Sequence, residues 1–185
     1  LIMFPFCLIC TVFAKEALHF WLGHEFALAS FRVMQIMTIA VLINGLAMIP
    51  YSMIQGLGRP DITAKFHIVE LILYIPALWL MIKAWGISGA AIAWLIRVAL
   101  DLSLLLYYSK KTVLPVFAYR HNNHDKKVLS YLPIMLIVMI LIASSNSPAI
   151  KILATFIVLL AYTPIAWKSF RKDSVGRIII GSIGQ

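Results

Sequence analysis

The stretch QGLGRPDITAKFHIVELILYIPALWLMIKAWGISGAAIAWLIRVALD, residues 55–101, decides the fold. It holds two long apolar runs joined by a short Lys/Gly/Ser turn and preceded by a Gly-Arg-Pro-Asp turn. Ionisable residues sit inside both runs: Lys65, His67 and Glu70 in the first, Arg97 and Asp101 in the second. A charge near the centre of a bilayer costs about 2.5–3.5 kcal/mol on insertion scales, so it faces a bundle interior or a wet cavity. The pattern points to an all-α, polytopic membrane protein that handles a polar or charged substrate.

The rest of the chain agrees with that solvent. Hydrophobic residues make up 62% and charged residues 12% of the 185, against roughly 45–50% and 25% in soluble domains. Mean hydropathy is +0.94. About 20 mostly apolar residues span a bilayer as a helix, and six segments qualify: 1–21, 31–55, 63–84, 87–108, 128–144 and 148–167. Tight loops rich in Gly, Pro, Ser or Asn separate them at 23–30, 56–62, 85–86 and 145–147. Only 109–127 is long, and its RHNNHDKK run is fully polar. Short loops make sequential helices antiparallel neighbours.

The formal charge of +9 comes from 16 Lys and Arg against 7 Asp and Glu. In a soluble chain such an excess suggests nucleic acid. Here Lys110, Lys111, Arg120, Lys126 and Lys127 share the long loop, and Lys168, Arg171, Lys172 and Arg177 share the tail. That is the positive-inside distribution, which puts loop 109–127 and the C-terminus in the cytoplasm and needs no nucleic acid. Alternation then places the Gly-Arg-Pro-Asp loop inside and the loops at Gly23, Gly86 and Asn146 outside. Trp21, Tyr51, Trp85, Tyr107, Tyr108, Tyr131 and Trp167 lie near span ends, where amphipathic rings prefer the interface. The chain starts with Leu inside an apolar run, which reads as a fragment or a trimmed domain. The apolar run Ile178–Ile180 in the tail is expected to lie on the membrane or to be unstructured.

Arg97 and Asp101 are four apart and share one helical face. They are read either as an intrahelical ion pair or as part of a cavity wall where Arg97 meets phosphate or another anion. His67 and Glu70 are three apart on one face of the preceding helix. Glu70 is expected to pair with Arg97 across the helices, or to couple transport by taking a proton or cation; His67 beside it is read first as a hydrogen-bonded structural histidine. Lys65 is close enough to the helix end to snorkel. Gly86, Gly89, Ala90, Ala91 and Ala93 open the fourth span with small residues that allow close helix approach. Pro50, Pro76, Pro133 and Pro164 kink spans and free carbonyls. Asn44 and Gln55 are polar groups suited to a cavity wall or an interhelical bond. Lys15 and Glu16 form an interfacial turn with Trp21.

Cys7 and Cys10 form a C-x-x-C in an apolar helix and are read as two small apolar residues. His121 and His124 lack the further ligands of a metal site. No metal, cofactor or catalytic residue is expected. There is no phosphate-binding G-x-x-x-x-G-K-[ST], no G-x-S-x-G elbow and no H-E-x-x-H, so the chain does not read as an ATPase or hydrolase.

The runs ALHFWLGHEFALAS, IQGLGRPDITAKFHIVELILY and GISGAAIAWLIRVALD resemble the C-terminal half of polysaccharide exporters of the O-antigen type. These belong to the multidrug/oligosaccharidyl-lipid/polysaccharide flippase superfamily. The carrying motifs are Trp-Leu-Gly followed by Glu-Phe-Ala, Gln-Gly-x-Gly-Arg, and Gly-x-x-Gly-Ala-Ala, and the resemblance covers about residues 1–111. It implies two six-helix bundles around a central cavity, with 1–111 contributing four spans of the second bundle. Residues 112–127 would be the cytoplasmic basic loop, 128–167 two additional spans and 168–185 the tail. It also implies a transporter, not an enzyme, in the bacterial inner membrane. The cargo would be an undecaprenyl-diphosphate-linked oligosaccharide, and the partners would be membrane lipids, the N-terminal half of the same protein and the polysaccharide polymerase machinery. Arg97 and Lys65 are the candidate substrate-binding residues; Glu70, Asp101 and His67 are the candidates for coupling or gating. The alternatives are a multidrug or cation antiporter of the same superfamily and, from another class, a membrane-embedded glycosyl transferase or polymerase. The latter needs an extended outward loop with catalytic side chains, and every outward loop read here is short.

Overall fold

An apolar chain folds back only where local chemistry breaks the helix, and here the breaks are few. The computed structural model describes residues 3–117, 137–145 and 147–172. Among these residues every regular element is a helix: α1 (Met3–Val12), α2 (Ala14–Leu22), α3 (His24–Gly56), α4 (Pro60–Phe117), α5 (137–144) and α6 (Pro148–Lys172). The all-α class read from the sequence holds. The tail patch, Pro133, His121, His124 and most of the basic loop lie outside the described residues.

α4 is a hairpin. Its apolar part, Pro60–Lys111, has 52 residues, which would measure about 78 Å as a straight helix against a hydrocarbon core of about 30 Å. The chain reverses at Gly86 (φ 58, ψ −136), the one non-helical residue inside the element. Such a backbone is strained for any residue with a Cβ. The two arms then touch in antiparallel order outward from the turn. A Cβ on Gly89 would run into the Met81 carbonyl oxygen. Farther out, Arg97 faces Glu70 and Asp101 faces His67. Near the far end the Tyr108 and Phe66 rings meet edge-on with centroids 6.0 Å apart. The turn read at 85–86 therefore stands.

α3 and α4 are long and apolar enough to cross a membrane. α1 and α2 pass that test only together and are bent by 71°, so the single straight span read over 1–21 is corrected. Neither Gly nor Pro sits at the bend, which falls at Phe13; it coincides with the change from the wholly apolar α1 to AKEALHFWL, where Lys15, Glu16 and His19 crowd one side. The loop read at 23–30 shrinks to Gly23, because α3 begins at His24. The second arm of α4 runs on to Phe117, past the span end read at residue 108. The apolar part of α6, Pro148–Pro164, is shorter than a full span.

Two apolar clusters hold the helices. The first joins Phe4, Cys7, Leu8 and Val12 of α1 to Leu42 of α3 and Met139 and Ile142 of α5, with Val158 and Tyr162 of α6 packed against them. The second joins Ala47 and Ile54 of α3 to Ile62 and Leu105 from the two arms of α4, flanked by Tyr51, Phe66 and Tyr108. Outside them, Ile68, Leu71, Ile72, Ile75 and Trp79 form an exposed apolar stripe along one face of α4. A stripe of that size in water would drive association; in lipid it is solvated. The protein is an all-α membrane protein.

Candidate functional site

The site lies where the α4 hairpin meets α3. Its first arm supplies His67 and Glu70, one turn apart. Its second arm supplies Arg97 and Asp101, again one turn apart. The antiparallel register set by Gly86 and Gly89 brings the four together. α3 closes the space with Asn44, Ala47, Met48 and Tyr51, giving a cavity of about 220 Å³ that is also lined by His67, Arg97, Val98 and Asp101. That space suits a compact polar group and is too small for an oligosaccharide.

Glu70 is the most buried member, at 5% exposure. Its Oε2 lies 3.4 Å from His67 Nδ1 and 3.8 Å from Arg97 Nε. His67 Nδ1 is also 4.0 Å from Asp101 Oδ1. Asp101 is 9% exposed. Glu70 Oε1 and Asp101 Oδ1 are both buried without a hydrogen-bond partner. The Arg97 guanidinium also stands 5.6 Å from the Tyr74 ring centroid, within cation–π range. The Tyr51 ring lies 6.1 Å from the His67 ring, and its hydroxyl accepts a hydrogen bond from Gln55 Nε2 at 2.6 Å.

Of the residues singled out from the sequence, Arg97, Glu70, His67 and Asp101 come together. Lys65 does not join them: its side chain is 75% exposed and lies 3.9 Å from Asp61, one turn back on the same arm. The intrahelical Arg97–Asp101 pair is replaced by the interhelical Arg97–Glu70 pair, because Glu70 is the more deeply buried carboxylate and gains more from a cation. Asn44 lines the cavity as its polarity suggested, whereas Gln55 is tied to Tyr51. Tyr51 and Tyr74 are contributors that sequence reasoning missed. By sequence Tyr51 is an interfacial ring, and only its position one turn from Ala47 and two turns from Asn44 on α3 hints at the cavity.

With His67 neutral and both carboxylates ionised, one guanidinium faces two carboxylates, and the cluster carries a net charge of −1. It can hold a cation, share a proton or present Arg97 to an anion, and the first two compete with the third.

A second buried charge lies apart from this site. Lys151 of α6 is 7% exposed, and its Nζ donates to Glu16 Oε1 of α2 at 2.9 Å.

The chain is 41% identical over 105 residues to a Shigella flexneri protein named "Putative O-antigen transporter". The match covers 57% of this chain and 25% of that relative, so the chain spans about a quarter of its length. The resemblance to O-antigen-type exporters read from the sequence is thereby supported by a curated relative. No family model matches the chain, and no solved structure matches it.

Proposed function

We propose that this chain is the C-terminal part of a flippase that moves an undecaprenyl-diphosphate-linked oligosaccharide across the bacterial inner membrane, and that it is a transporter with no catalytic residue. The observation that carries the reading is a guanidinium on the wall of a small cavity between an apolar hairpin and α3, in a chain 41% identical to a protein named for O-antigen transport. A planar guanidinium suits bidentate contact with phosphate. The cavity volume fits a headgroup; the sugar would occupy space completed by the N-terminal half, and the lipid tail would stay in the bilayer. Arg97 binds the diphosphate in this reading, while Glu70, Asp101 and His67 set its availability. The pair with Glu70 is long at 3.8 Å, so an anion can draw Arg97 away at modest cost. Lys65, at the end of the same arm, steers anions from the membrane surface. The long basic loop and the tail lie in the cytoplasm, by the positive-inside rule.

The test is rescue of surface polysaccharide in a flippase-null strain by the full-length protein carrying Arg97→Ala or Arg97→Lys, with membrane abundance measured. Failure of Arg97→Ala and partial rescue by Arg97→Lys are expected. Normal export by both variants removes Arg97 from the site.

One observation favours a second reading. The cluster sets two buried acids, Glu70 and Asp101, against one guanidinium, as a multidrug or cation antiporter would require. That reading predicts resistance to lipophilic cations upon expression, lost in Glu70→Gln, together with no polysaccharide rescue by the unmutated protein.

A further inference from the structure

We infer that His67, Glu70 and Asp101 form a site for one first-row divalent cation, of the Zn²⁺ or Mn²⁺ type. One observation is the ligand set. One nitrogen and two carboxylate oxygens from these residues lie within 4.8 Å of one another. Ligand atoms about 2.0–2.1 Å from a shared tetrahedral ion stand roughly 3.3 Å apart. His67 Nδ1 and Glu70 Oε2 are already 3.4 Å apart, and His67 Nδ1 and Asp101 Oδ1 are 4.0 Å apart. Small side-chain rotations close the rest.

The second observation is that carboxylate oxygens at this point lack partners. Glu70 Oε1 and Asp101 Oδ1 are buried and accept no hydrogen bond. Buried carboxylate oxygens of that kind are costly unless a cation or proton meets them. Arg97 does not do so fully: it reaches Glu70 only through Nε at 3.8 Å, outside hydrogen-bond range, and its guanidinium leans on Tyr74. The imidazole selects the metal class. Sodium, magnesium and calcium prefer all-oxygen shells, whereas a mixed nitrogen and carboxylate shell suits first-row divalent ions. The ion enters from the cavity, onto which His67 opens with 41% of its side chain exposed.

The role of the ion rests on the diphosphate reading above. Without it the cluster is −1 and repels an anionic headgroup. With it the cluster is +1, Glu70 no longer holds Arg97, and both cations face the cavity.

The experiment is metal binding by the purified full-length protein, with His121 and His124 replaced by Ala to remove the loop histidines. Equilibrium dialysis with Zn²⁺ and visible absorption with Co²⁺ are the probes. One site per chain is expected that disappears in His67→Ala, Glu70→Gln and Asp101→Asn, persists in Lys65→Ala, and resists a hundredfold excess of Mg²⁺ or Na⁺. Should the acid variants fail to fold, the unmutated protein and His67→Ala decide: Zn²⁺ raises the melting temperature of the first and not of the second. Zn²⁺ uptake that is absent, or unchanged by His67→Ala, overturns the inference and leaves a proton shared between the carboxylates. Displacement by Mg²⁺ or Na⁺ overturns the role of His67. The readout is binding, so it stands or falls separately from export.

Discussion

Removing Arg97 while leaving Glu70 exposes the energetics of the hairpin directly. At 3.8 Å and an effective dielectric constant near 20, the pair is worth ~4 kcal/mol of gross attraction. Two features reduce this. The Arg97 side chain is 36% exposed, so part of that attraction is screened. His67 remains as a partner of Glu70 at 3.4 Å. Arg97→Ala is therefore expected to destabilise the protein by about 2–3 kcal/mol, toward the low end for orphaning a buried charge. Glu70→Gln leaves a partly exposed guanidinium resting on Tyr74 and costs about 1–2 kcal/mol. The double variant leaves no buried charge to strand, and at about 2 kcal/mol it costs no more than Arg97→Ala alone, which gives a coupling energy near 2 kcal/mol. The assay is reversible unfolding of the full-length protein in mixed micelles, run as a complete double-mutant cycle with Arg97→Lys as a fourth variant. Additivity within about 0.5 kcal/mol would falsify the claim that this pair holds the two arms in register.

Three further outcomes follow from other contacts. Gly89→Val drives a side chain into the Met81 carbonyl and is expected to lower the melting temperature sharply; Gly56→Ala, with nothing within 4 Å, is the control, and equal melting of the two would refute the close approach. Glu16→Ala strands the buried Lys151 ammonium and is expected to speed hydrogen exchange across the first turns of α6, with Glu16→Lys plus Lys151→Glu restoring protection; unchanged exchange in the single variant shows that the pair does not dock α6. Lys65→Ala removes an exposed pair worth well under 1 kcal/mol, so stability and abundance should hold and export should fall less than with Arg97→Ala. Loss of export equal to that of Arg97→Ala would extend the anion path to the start of α4.

The sequence made the hairpin legible because its signals are local. Trp85-Gly86 interrupts an apolar run too long to be one span, and His67 with Glu70, and Arg97 with Asp101, are fixed on common faces by helical spacing. The choice between pairing Arg97 with Asp101 and with Glu70 was not legible, since it depends on how each arm is rotated about its axis. The contribution of Tyr51 was hidden for the same reason. The Glu16–Lys151 pair joins residues 135 apart in sequence, a distance over which periodicity carries no information. The bend at Phe13 was missed because hydropathy averages α1 and α2 into one run, although the grouping of Lys15, Glu16 and His19 marks where the character of the helix changes.

Register is where fold and site become one problem. Sliding the second arm of α4 by one turn would place Glu70 opposite Ala93 in one direction or the Asp101 carboxylate in the other, with its charge uncompensated, and would lift Gly89 away from Met81, bringing a larger side chain against that carbonyl. Steric fit at one end of the hairpin and charge pairing farther out therefore select the same alignment, which is how a sequence specifies a single structure. The same alignment leaves Asp101 opposite His67 with one carboxylate oxygen unpartnered. A chain under selection for stability alone would have removed that second acid, since an apolar residue there packs without an orphaned oxygen. Its presence on the cavity wall, beside Arg97 and His67, is the feature that packing does not require, and it is therefore the first place to look for what the cavity binds.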